Sequence, residues 1–155
     1  MKTWGQFAAE EPESAELGRK VLGHYGIAYL GTLRADGTPR ITPVSPVIVG
    51  DGLYLGIMPS SPKCLDLERD PRCTIHGLPG PNDAEFCVTG TVVRLDPDQV
   101  EKLIRDAPPH VRIARDTNLY ELRLASAGRT YFRDPGDGAR PEPARSRWQA
   151  ESDAR

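Results

Sequence analysis

Cysteine is scarce in this chain. Its three residues, Cys64, Cys73 and Cys87, are odd in number and show no CxxC spacing. That excludes a disulfide framework and a zinc ribbon, and it suits the reducing cytoplasm. Charge of one sign is also missing: 20 Lys and Arg stand against 22 Asp and Glu, for a formal charge of −2. With no basic stripe, neither nucleic acid nor a membrane surface is an expected partner. No apolar run approaches the roughly 18 residues of a membrane span, and Met1–Ser14 lacks the apolar centre of a signal peptide. The three histidines, His24, His76 and His110, have no acidic or cysteine partners at ligand spacing, so no metal is expected. Hydrophobic residues make up 38% and aromatics 6% of the 155 residues. One modest core is therefore expected, with part of the chain outside it.

Periodicity gives the elements. Leu17, Val21 and Tyr25 recur at i, i+4 and i+8 with Leu22 beside them, which predicts a helix within 12–25 closed by a left-handed Gly26. Ile27–Leu33 reads as a strand, followed by the turn signal Asp36-Gly37. Arg40–Val49 reads as a second strand and Gly50-Asp51-Gly52 as a second turn. Leu53–Met58 is a third strand with Leu53, Leu55 and Ile57 on one face, which completes a meander. Ser61 as cap and Pro62 at the first position open a short helix that Pro71 ends. Strands at Cys73–Leu78 and Glu85–Leu95 follow. Asp96 and Gln99 form a capping-box signature, and Val100, Leu103, Ile104 and Ala107 give that helix an apolar face. Tyr120, Leu122 and Leu124 mark a late strand, and Thr130–Arg133 a last short one.

Six or seven short strands with three helices lack the βαβ alternation of a Rossmann unit. The expected fold class is mainly β with peripheral α-helices, a small antiparallel barrel over residues 1–133. From Asp134 the chain is rich in Pro, Gly and charge, with Trp148 its only large apolar group. Residues 134–155 are expected to be a tail that is disordered or ordered only with a partner, with docking of Trp148 as the alternative, and deletion of 136–155 is expected to leave thermal stability almost unchanged.

Two stretches could carry chemistry. Met58-Pro59-Ser60-Ser61-Pro62-Lys63 puts two hydroxyls and a lysine where a helix starts straight after a strand. Helix starts carry unpaired N–H groups and attract anions, but an ordinary serine cap fits the same residues. Pro39–Val47 contains Pro43 and Pro46, and proline in a strand belongs at edges. The N–H groups of Thr42, Val44 and Ser45 are then open to a planar ligand, or the strand is simply a protected edge. Cys64, Asp66, Glu68, Asp70 and His76 read more simply: a structural thiol, a solvated acidic helix face and a packed histidine.

In order and spacing these features resemble the pyridoxamine 5′-phosphate oxidase-like proteins. The resemblance covers roughly residues 14–133 and is carried by the turn Asp36–Arg40, the Ser-x-Lys helix start Ser61–Lys63 and the segment Lys63–Pro71. It implies a split β-barrel of the flavin-reductase type that binds FMN, or the deazaflavin coenzyme F-420, at a homodimer interface. Arg40, Thr42, Pro43 and Val44 would correspond to the strand that lines the ring. Ser60, Ser61 and Lys63, with Met58 at the strand end, would correspond to the phosphate cradle. Glu85 is a weaker match. The implied activity is an oxidoreductase moving hydride between the cofactor and a small molecule. The cofactor carries that chemistry, so no catalytic side chain is assigned. The alternative is a non-catalytic flavin- or haem-binding protein on the same barrel. There are two departures. Pro62 replaces a basic residue that many FMN-binding members carry before the helix lysine, which leaves FMN, F-420 or no tight cofactor open. The C-terminal Arg/His-bearing segment of the true oxidases is not matched, so oxidation of pyridoxamine phosphate is not expected.

Overall fold

Leu53, Leu55 and Ile57 do share a buried face, and the strand they form is one of eight that a single curled sheet contains. The computed structural model describes residues 1–133 and 140–151. Among these the helices are α1 (Trp4–Glu10), α2 (Pro12–His24), α3 (Pro62–Arg69) and α4 (Pro97–Asp106). The strands are β1 (Ala28–Leu33), β2 (Pro39–Val44), β3 (Pro46–Val49), β4 (Gly52–Ile57), β5 (Arg72–Gly77), β6 (Glu85–Arg94), β7 (Asn118–Arg133) and β8 (Glu142–Gln149). Neighbours run antiparallel in the order β2-β1-β5-β6-β7-β4-β3, with β8 also on β7.

The expected meander is therefore corrected. Arg40–Val49 is two strands, broken at Ser45 between Pro43 and Pro46. β2 ends one side of the strand order and β3 the other, yet one residue separates them. The sheet must curl until its two edges adjoin, and among the described residues no ladder joins β2 to β3 or β4. The result is a half-barrel split along that seam. A β-bulge on β7 helps the curl: the register with β6 slips between Thr89↔Ser126 and Gly90↔Leu124, leaving Ala125 as the extra residue, and bulges bend and twist the strand that carries them.

Leu30, Ile75, Phe86, Val88, Leu122 and Leu124 fill the concave side. Two helices close its end. α1, missed in the sequence, is fixed by a capping box: Thr3 Oγ1 accepts from Gln6 N at 3.2 Å and Gln6 Oε1 accepts from Thr3 N at 2.9 Å. It lays Trp4 and Phe7 against Phe86, with ring centroids 6.0 and 6.3 Å away. α2 closes as expected with Gly26 at φ 64°. A smaller core gathers Val49, Leu103 and Leu119 under α4, whose Asp96–Gln99 box is formed.

The tail is the second correction. β8 pairs with the far half of β7 from Ser126↔Gln149 to Arg133↔Glu142. Trp148 is 9% exposed, its ring 4.9 Å from Phe7, and its indole N–H donates to Glu10 at 3.0 Å. By composition alone this segment reads as solvated. Its stability comes from an unpaired β7 edge and an aromatic partner in the first ten residues. The remaining tail positions, 134–139 and 152–155, lie outside the described residues.

Candidate functional site

The split seam is where the sequence-derived site residues fall. β2 is an edge strand whose Arg40, Thr42 and Val44 face inward beside Thr32, Leu30 and Ala28 of β1. α3 lies against this pair and takes the place of a further strand. Its Lys63 Nζ donates to the Pro43 carbonyl at 2.5 Å. One turn on, Asp66 Oδ2 accepts from Arg40 Nε at 2.6 Å and from Thr32 Oγ1 at 2.9 Å. Arg69 follows, donating to the Leu33 carbonyl. The geometry thus joins Lys63 to Pro43 directly and Arg40 to the same helix through Asp66. Val44 is buried, whereas Met58 and Ser60 are exposed at the turn into α3.

Among the described residues, polar groups along this seam are left without protein partners. Ser61 occupies the N-cap position of α3, with φ −75° and ψ 134°, but its hydroxyl makes no cap bond. That corrects the expectation of a serine cap. Pro62 has no N–H, and the turn is held instead by backbone bonds from Ser61 N to Met58 O and from Cys64 N to Ser61 O, both 2.9 Å. Thr42 Oγ1 is buried with no hydrogen-bond partner. Burial pushes the Lys63 ammonium below its ordinary pKa of 10.5. A partly dehydrated cation, an uncommitted hydroxyl and an orphaned buried hydroxyl beside a helix start fit an anionic, polar-edged ligand. The donor set thus suits a phosphorylated planar cofactor.

Two residues, Asp66 and His76, behave differently from their expectation. Asp66, read as part of a solvated face, is 3% exposed. Its burial depends on Thr32 and Arg40, far away in sequence, so no local signal could have found it. Cys64 is structural as expected: it is buried, lies 3.3 Å from Tyr120 Oη and accepts from Asn118 Nδ2 at 3.1 Å. Burial, with the Cys64 contact, pushes the Tyr120 phenol well above its ordinary range. His76 is not packed. It is exposed on the convex face of the sheet, with Nδ1 2.7 Å from the Gly77 carbonyl. It borders a groove of about 390 Å³ with Cys87, Thr89, Gly128, Arg145 and Arg147. Glu85 lines this groove too, rather than the start of α3. A cavity of about 540 Å³ between α2 and the end of β7, lined by Leu17, Val21, His24 and Phe132, contains none of the expected site residues. Among the described residues no helix is long and apolar enough to cross a membrane.

The comparisons with known proteins follow the same lines. No curated protein matches the sequence. Among solved structures, a haem-binding protein from Mycobacterium smegmatis superposes with a TM-score of 0.62 at 19% identity, covering 84% of this chain and 57% of its own. This chain thus spans little more than half of that protein. The haem storage protein HutZ from Vibrio cholerae gives a TM-score of 0.58 at 16% identity, covering 74% of this chain and 89% of its own. A pyridoxamine 5′-phosphate oxidase-related, FMN-binding protein from Nostoc punctiforme gives 0.59 at 10% identity, covering 92% and 96%. At these identities the likeness shows the fold. The family model for pyridoxamine 5′-phosphate oxidase matches residues 16–129, most of the chain and all of the seam. With the split half-barrel and the helix start both in place, the chain belongs to the pyridoxamine 5′-phosphate oxidase family.

Proposed function

We propose that this chain is a flavin-dependent oxidoreductase that binds FMN along the β2–α3 seam and acts on a small molecule. The coenzyme F-420 is the alternative cofactor. The observation that carries the reading is the set of polar groups left open there: the Ser61 hydroxyl that caps nothing and the orphaned Thr42 Oγ1. Lys63 and the hydroxyls of Ser60 and Ser61 would hold the phosphate at the start of α3, and β2 would hold the edge of the ring. Bound flavin supplies hydride transfer. The protein binds the cofactor, orients it and screens it from water. Among the described residues β2 has a strand on one side only, so its outer edge is open to a planar ligand.

A homodimer is part of this proposal. Ile41 is 71% and Tyr29 47% exposed. They lie on the convex face of adjacent strands, next to the seam. A second copy seated there would cover apolar surface and wall the open side of the site. Light scattering should give the mass of two chains at micromolar concentration, and a monomer mass would refute this part.

A second reading, a haem-binding protein, has one observation in its favour. With Nδ1 of His76 engaged by the Gly77 carbonyl, Nε2 is left for a metal. Absorbance and fluorescence titrations with FMN, F-420 and haemin separate the readings. On the flavin reading, FMN binds in preference to riboflavin. Lys63→Ala then weakens FMN by roughly 10- to 100-fold, as expected for a lost charge-assisted contact. Haemin binding with a Soret band altered by His76→Ala would favour the second reading. Binding of none of the three would overturn both.

A further inference from the structure

Arg40 is not a free surface arginine. Its side chain is 23% exposed, and its Nε is held by a carboxylate that is itself buried. That carboxylate, Asp66, also takes the Thr32 hydroxyl on Oδ2, and its Oδ1 lies 3.6 Å from Arg69 Nη2. Burial pulls the Asp66 pKa upward, but the hydrogen bonds from Arg40 and Thr32 and the charges of Arg40 and Arg69 outweigh it. The carboxyl is held below its ordinary range and stays ionised at neutral pH.

Guanidinium is planar, so a bond at Nε fixes the plane and leaves the outer Nη pair, with four N–H donors, in a set direction. Among the described residues neither Nη of Arg40 has a further partner. Lys63 lies three residues before Asp66 on the same helix, and its own bond goes to the same strand as Arg40. One helix therefore offers its own cation and orients a second one along a single seam. An arginine that is already ordered gives up little rotamer entropy when an anion arrives.

We propose that Asp66 is the positioning residue of this seam: by fixing the Arg40 guanidinium on the strand that Lys63 also grips, it makes Arg40, otherwise a residue of the ring-lining strand, a second contact for the anionic end of the ligand and so sets how strongly the site prefers a phosphorylated ligand to its unphosphorylated counterpart. The proposal rests on the cradle reading above, with Asp66 acting through Arg40 rather than touching ligand. A merely structural Asp66–Arg40 bridge would change stability and leave that preference alone.

The test titrates full-length protein with FMN and with riboflavin, for wild type, Asp66→Ala, Asp66→Asn, Arg40→Ala and the double variant Asp66→Ala/Arg40→Ala. Wild type should prefer FMN. Asp66→Ala should lose roughly tenfold of that preference, the scale of one charge-assisted hydrogen bond, with riboflavin affinity little changed. Asp66→Asn keeps the side-chain shape without the charge and should lose part of it. If Asp66→Ala does not fold, the Asp66→Asn ratio decides. In the Arg40→Ala background, adding Asp66→Ala should have no further effect on the ratio. A preference that survives every Asp66 substitution while Arg40→Ala or Lys63→Ala abolishes it overturns this inference alone. Equal wild-type affinity for the two flavins overturns the cradle reading and this inference with it.

Discussion

Trp148→Ala tests the part of the fold that sequence composition conceals. The side chain is 9% exposed, packs with its ring tilted against that of Phe7 at a centroid distance of 4.9 Å and belongs to the main core. Truncating a buried tryptophan leaves a cavity and forfeits its transfer free energy, which together cost about 3–5 kcal/mol. The lost bond to Glu10 adds little, because that carboxylate is open to water. For a domain of this size 1 kcal/mol moves the midpoint by about 2–4 °C. A fall of roughly 6–20 °C is therefore expected by calorimetry or circular dichroism. Trp148→Phe keeps an aromatic ring against Phe7 and should cost about half as much or less. Deleting residues 140–155 should cost at least as much as Trp148→Ala, since it also strips eight ladder positions from β7. A truncated chain melting within about 2 °C of wild type, too little for a lost buried tryptophan, would show that β8 and its tryptophan contribute nothing in solution.

Two further perturbations read the packing and the electrostatics. A Cβ on Gly90 would sit 1.9 Å from the Arg123 carbonyl oxygen, so Gly90→Ala must push β6 off β7 at the bulge and should cost at least about 3 kcal/mol. Gly23→Ala, with nothing within 4 Å, should instead stabilise α2 by about 0.5–1 kcal/mol, and urea midpoints of the two variants should move in opposite directions. The third prediction is the pH dependence of Asp66, whose pKa is lowered from 3.8 in the folded chain. Its stabilising share is full above that value and is lost as pH falls through the lower folded pKa. The stability gap between wild type and Asp66→Asn, measured by urea at neutral and acid pH, should shrink below about pH 4. A gap that stays constant into acid would mean that the carboxyl is not ionised in the fold.

Most strands were legible because their signal is local. Period-two burial at Leu53, Leu55 and Ile57, the Asp96–Gln99 box and the left-handed Gly26 each depend on a few neighbours along the chain. α1 had the same kind of signal in Thr3 and Gln6, but the stretch is short and was passed over. β8 carries period two as well, with Ala144, Ser146 and Trp148 toward the core and Arg145 and Arg147 away from it. Its inward residues are mostly small, so the pattern reads as polar. What holds the strand is a β7 edge and Phe7, neither of which is near in sequence. Asp66 failed for the same reason: between Leu65 and Glu68 it looks like one more helix charge, until Thr32 and Arg40 close over it.

The candidate site falls at a seam where, among the described residues, no ladder joins β2 to β3. α3, which leaves the end of β4, grips the β2–β1 side of that seam with side chains: Lys63 to Pro43, Asp66 to Arg40 and Thr32, Arg69 to Leu33. The same residues therefore have two tasks, holding an open barrel edge and receiving an anion. For Lys63 the tasks are compatible, because an ammonium has three donors and the Pro43 carbonyl uses one. For Arg40 they are compatible because Asp66 binds at Nε and leaves the outer nitrogens. The Ser61 hydroxyl has no structural task among the described residues, since Pro62 and the backbone bonds of Ser61 itself open the helix without it. Stability and ligand affinity should therefore separate along this seam: Asp66 substitutions move both, Lys63→Ala moves mainly affinity, and Ser61→Ala moves affinity with almost no change in melting temperature. A Ser61→Ala variant that unfolds easily and binds FMN normally would turn the assignment round and make the serine a cap after all.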